Sequence, residues 1–121
     1  MAQPGVYFIV DFAIAEGRLT EFEAIATEMV DGTRSEPGAL AYEFYLHPEQ
    51  KQSRLIEVYA DSDAALAHCK GRVVQELVPK LLSVSSLAGF SVYGDLSPET
   101  AGILKQAGAQ LCETWQGFNR F

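Results

Sequence analysis

A chain of 121 residues with 48% hydrophobic, 21% charged and 11% aromatic residues has the length and composition of one globular domain, which at this size buries roughly two-thirds of its unfolded surface. Nine Lys plus Arg against 16 Asp plus Glu leave a net charge of -7, a field that repels phosphate backbones and anionic lipid, so nucleic acid and membrane surfaces are excluded as partners. Two cysteines, Cys69 and Cys112, make neither a metal-ligand spacing nor a disulfide framework and read as free thiols of a cytoplasmic protein.

The first apolar run, Val6 to Val10, follows no positive charge and is broken by Asp11, so it is read as a strand over residues 6 to 12 and not as a secretory segment. From 18 to 34, Leu19, Phe22, Ile25, Ala26, Met29 and Val30 draw one helical stripe opposite Glu21, Glu23, Glu28 and Asp31. Thr20 and Glu23 fit a capping box, and Asp31-Gly32 and Pro37-Gly38 supply the stop. Two strands, 40 to 47 and 54 to 60, flank a polar hairpin loop. Asp61-Ser62-Asp63 caps a short Ala-rich helix carrying Leu66, His68 and Cys69, which Gly71 breaks. Val74, Leu77, Val78 and Leu81 form a further helical face, with Pro79 loosening its last turns. A strand over 87 to 93 and a helix from Ser97-Pro98-Glu99 to about Ala107 complete the elements.

This order is the ferredoxin-like βαββαβ pattern of the α+β class, with two helices on one face of a four-stranded antiparallel sheet. Residues 1-95 are assigned to that domain and 96-121 to a C-terminal helix and tail that pack on the domain or on a partner. The bare sheet face would expose more apolar surface than monomers tolerate, which predicts a homodimer with sheet meeting sheet. The alternative is that Trp115, Phe118 and Phe121 fold back over that face.

Glu36-Pro37-Gly38, Tyr42-Glu43-Phe44-Tyr45, Glu57-Val58-Tyr59-Ala60-Asp61 and Ala64-Ala65-Leu66-Ala67-His68 resemble the antibiotic biosynthesis monooxygenase family of small dimeric α+β barrels. The resemblance implies oxygenation of a small aromatic, such as a quinol, phenol or anthrone, by dioxygen without metal, flavin or other cofactor. The alternatives are a non-catalytic module that binds a small apolar ligand or only dimerises, and a cofactor-free isomerase or lyase. In the haem-degrading branch, as the resemblance aligns it, asparagine, tryptophan and histidine stand where this chain has Val10, His68 and Val78, which argues against haem degradation. The anthrone-oxidising branch has polar or aromatic residues where Leu55 and Leu66 stand and shares only the aromatic at Tyr59.

His68 is the candidate general base, since an imidazole titrates near neutral pH; its alternative role is to tie helix to sheet. His47, before Pro48, is read as solvated. A hairpin loop centred near Gln50 would set Glu43 beside Glu57, with Tyr45, Leu55 and Tyr59 on the same face. Pattern alone makes the opposite face, with Leu40, Tyr42, Phe44, Ile56 and Val58, the core. The resemblance instead turns Glu57 and Tyr59 inward towards His68 and makes that apolar face the dimer seam. The candidate catalytic residues are therefore His68, Glu57 and Tyr59. Tyr45, Glu43, Leu55 and Leu66 are the candidate substrate-binding residues.

Overall fold

The computed structural model describes residues 5–121. Strand β1 (Val6–Ile14) sends Val6, Phe8, Val10 and Phe12 into the core, because successive side chains of a strand point to opposite faces. Helix α1 (Leu19–Arg34) buries Phe22, Ala26, Met29 and Thr33, at the three-and-four spacing of one helical stripe. Its start corrects the capping-box expectation. Arg18 is the N-cap without a side-chain cap bond, and its guanidinium bonds Glu21 instead, leaving Thr20 inside the first turn. Gly32 does not stop the helix either, which ends at Arg34.

Strands β2 (Ala39–Leu46) and β3 (Gln52–Tyr59) form an antiparallel hairpin. In its register Tyr42 pairs with Glu57, Glu43 with Ile56 and Phe44 with Leu55. The loop is thus centred half a residue earlier than the sequence suggested, and a slip of one in register turns every side chain of β2 over. Tyr42 and Phe44, expected in a dimer seam, instead face the helices and pack on the core because of this register, while Glu43 and Tyr45 face away from them. A register shift between Ala39 and Ala41 keeps Ala39 opposite Tyr59.

Helix α2 (Ser62–Lys70) is capped by Asp61, whose carboxylate accepts from the Ala64 amide at 2.9 Å. It lies so close to the start of β2 that a Cβ on Gly38 would sit 2.4 Å from that of Ala64. Only glycine permits this approach. A π-helical turn, Val73–Leu77, runs directly into helix α3 (Val78–Leu81). Pro79 falls in the first turn of α3, and because the π-helical turn runs straight into that turn, the missing N–H and the crowding of the carbonyl four residues earlier fall on the irregular turn itself. Strand β4 (Ser85–Tyr93) pairs with β1 across an irregularity at Asp11/Phe12. Helix α4 (Pro98–Gln106), capped by Ser97, leads into β5 (Gln110–Cys112).

The sheet therefore has five strands in the order β2-β3-β1-β4-β5, and β5 runs parallel to β4. This corrects the expected four-stranded antiparallel sheet. Three residues of β5 are too short a run to announce a strand, and the β4–α4–β5 crossover supplies its parallel direction. The helices cover one face. On the other, Asp11 holds Arg54 in a two-point ion pair at 2.8 and 3.0 Å across β1 and β3.

The tail after β5 reaches that outer face at Tyr7. Asn119 donates to the Tyr7 hydroxyl at 3.2 Å, and the Phe121 ring lies 6.1 Å from that of Tyr7. Trp115, Phe118 and Phe121 remain 89%, 72% and 74% exposed, so folding back does not bury them. No helix is long and apolar enough to cross a membrane among the described residues.

Candidate active site

Between the sheet and the helices lies a cavity of about 360 Å³. Phe8, Val10 and Phe12 of β1, Leu55 and Glu57 of β3, Tyr42 of β2 and Phe90 of β4 form its sheet wall. Met29 of α1, His68 and Cys69 of α2, Val74 and Val78 form the helical wall, and Ile103 and Leu104 of α4 with Ala107 just after it complete the lining. Almost all of this is hydrocarbon, and the ionisable groups gather at one end.

There Glu57 and His68 are 4% and 2% exposed. His68 Nε2 stands 3.5 Å from Glu57 Oε1, and its Nδ1 lies 2.9 Å from Glu36 Oε1. The Glu36 carboxylate can only accept, so Nδ1 carries the proton of the neutral ring and Nε2 presents its lone pair towards Glu57. Glu57 Oε1 in turn accepts from the Tyr59 hydroxyl at 2.5 Å. The imidazole is held between the rings of Tyr42 and Tyr59, at centroid distances of 5.5 and 5.0 Å.

Burial sets the protonation of this end. Enclosure in hydrocarbon pushes the Glu57 carboxyl up to about 8, helped by the Glu36 charge and opposed by the Tyr59 hydrogen bond. His68 is moved the other way, below the usual imidazole value, because desolvation of the cation outweighs the pull of Glu36. At neutral pH the pair is therefore a carboxylic acid beside a neutral base. Burial, reinforced by Glu57 and Glu36, pushes the Cys69 thiol up to about 11, which makes it a poor nucleophile. Burial and the Glu57 charge also raise the Tyr42 and Tyr59 phenols well above their ordinary range.

The structure brings Glu57, Tyr59 and His68 together, with Leu55 on the same wall. Tyr59 is fully buried behind Glu57 and outside the cavity lining, so its hydroxyl serves the carboxyl and not a ligand. Three expected lining residues lie elsewhere. Glu43 and Tyr45 are exposed on the outer face because of the β2 register. Leu66 sits on a side of α2 that misses the cavity, where His68 and Cys69 form the wall. Tyr42 takes the place assigned to them, and Glu36 is the second residue the sequence reading missed. The contact of Gly38 with Ala64 carries the preceding loop, with Glu36, over His68 one helical turn further along α2. That glycine was visible in the sequence, but nothing there told which side chain it would deliver. Among the described residues no group of three His, Cys, Asp or Glu side chains is arranged to hold a metal ion.

Fold and site together define a ferredoxin-like α+β protein with an acid–base pair at the blind end of an apolar cavity. Residues 5–80 match the model of the family described as Antibiotic biosynthesis monooxygenase, and the chain belongs to that family. Among solved structures it is similar to MupZ from Pseudomonas fluorescens, with 28% identity and a TM-score of 0.81 over 96% of this chain and 94% of that one. A structure described as an antibiotic biosynthesis monooxygenase shares 24% identity over 77% of this chain and 99% of its own, with a TM-score of 0.65. Rv0793 from Mycobacterium tuberculosis matches at 20% identity over 77% and 96%, with a TM-score of 0.68. No curated protein sequence matches the chain.

Proposed function

We propose that the protein is an acid–base enzyme that prepares a small, uncharged, largely apolar molecule for reaction with dioxygen, in the manner its family's name suggests. The observation that carries this reading is the 3.5 Å approach of a basic imidazole nitrogen to a carboxyl group held protonated by burial, both on the wall of one apolar cavity. Groups whose environments push their titrations apart are the usual signature of assigned acid and base roles.

In the oxygenase form, His68 Nε2 removes a proton from a carbon or hydroxyl activated by an adjoining phenol, quinol or anthrone ring. The carbanion passes an electron to dioxygen, and the two radicals join as a peroxide anion, which takes a proton from Glu57. Loss of water from the resulting CH–OOH leaves a carbonyl, so that CH₂ and O₂ become C=O and H₂O. Dioxygen is the oxidant in this scheme.

A second reading, proton transfer without dioxygen in an isomerase or lyase, draws on the same pair, because an acid and a base side by side suffice for it. Oxygen-electrode traces with quinols and anthrones test the first: consumption is expected, falling by roughly 10²- to 10⁴-fold in His68→Ala. Turnover that continues under nitrogen would transfer the assignment to the second reading, and binding without turnover in either gas would leave a ligand-binding module.

A two-fold dimer through the outer sheet face belongs to the same proposal. Tyr45 and Tyr93 are exposed on that face, and the Asp11–Arg54 pair would be repeated by the symmetry of such an interface. Sedimentation is expected to give a dimer at micromolar concentration, and Ile56→Glu is expected to give monomers. A monomeric parent protein would overturn the dimer.

A further inference from the structure

The ends of the cavity differ in character. Glu57 pairs with Phe8 and Leu87 with Phe12 along β1, so the acid–base end and the Leu87 end lie about 13 Å apart at the usual rise of a strand. The Glu57 end is closed, with both ionisable groups nearly inaccessible. The Leu87 end is open. Leu82 and Leu87 line the cavity there while 39% and 44% exposed, and the lining also includes the exposed Ala107 and the half-buried Ile103. Among the described residues that line the cavity Gln75 is an exposed polar side chain, and its amide nitrogen donates to the Cys69 carbonyl at 2.8 Å. No Lys or Arg is among the described residues that line the cavity.

We infer that the ligand is an elongated, uncharged molecule that enters tail-last, with one hydroxyl or carbonyl against Glu57 and His68 and an apolar chain running out between Leu82, Leu87 and Ala107. The placement of the polar end rests on the acid–base reading above; the rest stands on the shape and lining of the cavity. An ionised head at the closed end would lose its hydration without a cation to replace it, which is far costlier than burying a hydroxyl that finds a partner. The protein's charge of -7 adds to the exclusion of anions. Leucines half in water at the mouth are what an emerging hydrocarbon chain would cover.

Three ligands that share a ring and differ in where charge sits test this: 4-heptylphenol, 4-heptylbenzoate and 8-(4-hydroxyphenyl)octanoate, each displacing the neutral fluorophore N-phenyl-1-naphthylamine at pH 7. The phenol is expected to bind at least about tenfold more tightly than the benzoate. The phenol with a carboxylate at its far end is expected to bind within a few-fold of 4-heptylphenol, and Leu87→Lys, at an exposed position, to tighten that ligand alone. Ala107→Trp, also at an exposed position, is expected to weaken all three by narrowing the mouth. Equal binding of phenol and benzoate, or displacement indifferent to Ala107→Trp, would overturn the inference. Displacement involves no turnover, so these results are independent of whether the acid–base chemistry takes place.

Discussion

Glu57→Gln is expected to melt higher than the parent protein at pH 7.5 while losing activity. In the folded chain the Glu57 carboxyl keeps its proton to about pH 8, against an ordinary value of 4.5. The unfolded chain releases that proton near the ordinary value, so between about pH 4.5 and 8 rising pH favours unfolding by roughly 1.4 kcal/mol per unit. By pH 7 the buried acid has cost the fold about 3 kcal/mol. A glutamine stays neutral at every pH and its carbonyl still accepts from the Tyr59 hydroxyl, so the variant escapes this loss. For a domain of this size the gain corresponds to a rise in Tm of roughly 5 to 15 °C, and it should close as the pH falls towards 4.5. His68 works in the opposite direction: its value lies below 6.5, so stability is lost as pH drops through 6.5 and the unfolded imidazole takes up a proton. The parent protein should accordingly be most stable between about pH 4.5 and 6.5. Melting curves of both proteins from pH 4 to 9 check all of this. A Glu57→Gln variant that melts at or below the parent at pH 7.5 would mean that Glu57 is ionised in the folded state, and the acid role would fall with it.

The acid role proposed for Glu57 would account for a fold that retains such a group at the end of an apolar cavity. How far this was legible in the sequence divides along a physical line. Elements defined by their own periodicity could be read directly: the stripe through Phe22, Ala26 and Met29 and the alternation from Val6 to Phe12 face the core as their spacing implies. The Asp61 and Ser97 caps are equally local, and both make the expected side-chain bonds. Features that depend on how elements meet could not be read. One residue of loop length decides whether Glu43 or Tyr42 faces Glu57, and nothing in the polar run Pro48 to Ser53 fixes that length. Glu36 reaches His68 over 32 positions of sequence because Gly38 lets β2 press against α2, a coincidence of packing with no sequence period. The capping box at Thr20 differs in being a local miss: Arg18 is the N-cap and its guanidinium pairs with Glu21. In the other two cases a long-range contact selected among local options that the residues left equally open.

Glu36→Gln is expected to lower kcat by roughly 100-fold or more with little change in KM, although Glu36 does not line the cavity. Its carboxylate fixes the proton on His68 Nδ1 and so keeps Nε2 free to act as the base. A glutamine amide can either accept from Nδ1 or donate to it, and in the second arrangement the proton moves to Nε2 and the base is lost. The pH profile separates this positioning role from simple damage. Activity should rise as His68 loses its proton, at a pH below 6.5, and fall as Glu57 loses its own near pH 8, giving a bell. The Glu36 charge holds both groups up, raising His68 directly and Glu57 across the imidazole. Removing it should therefore move both limbs of the bell to lower pH. Glu36→Asp, which keeps the charge on a shorter arm, should leave the limbs near their original places and recover part of kcat. A variant that loses activity with both limbs unmoved would reduce Glu36 to a structural tie between the β2 entry and α2, and the base would then need another group to set its tautomer.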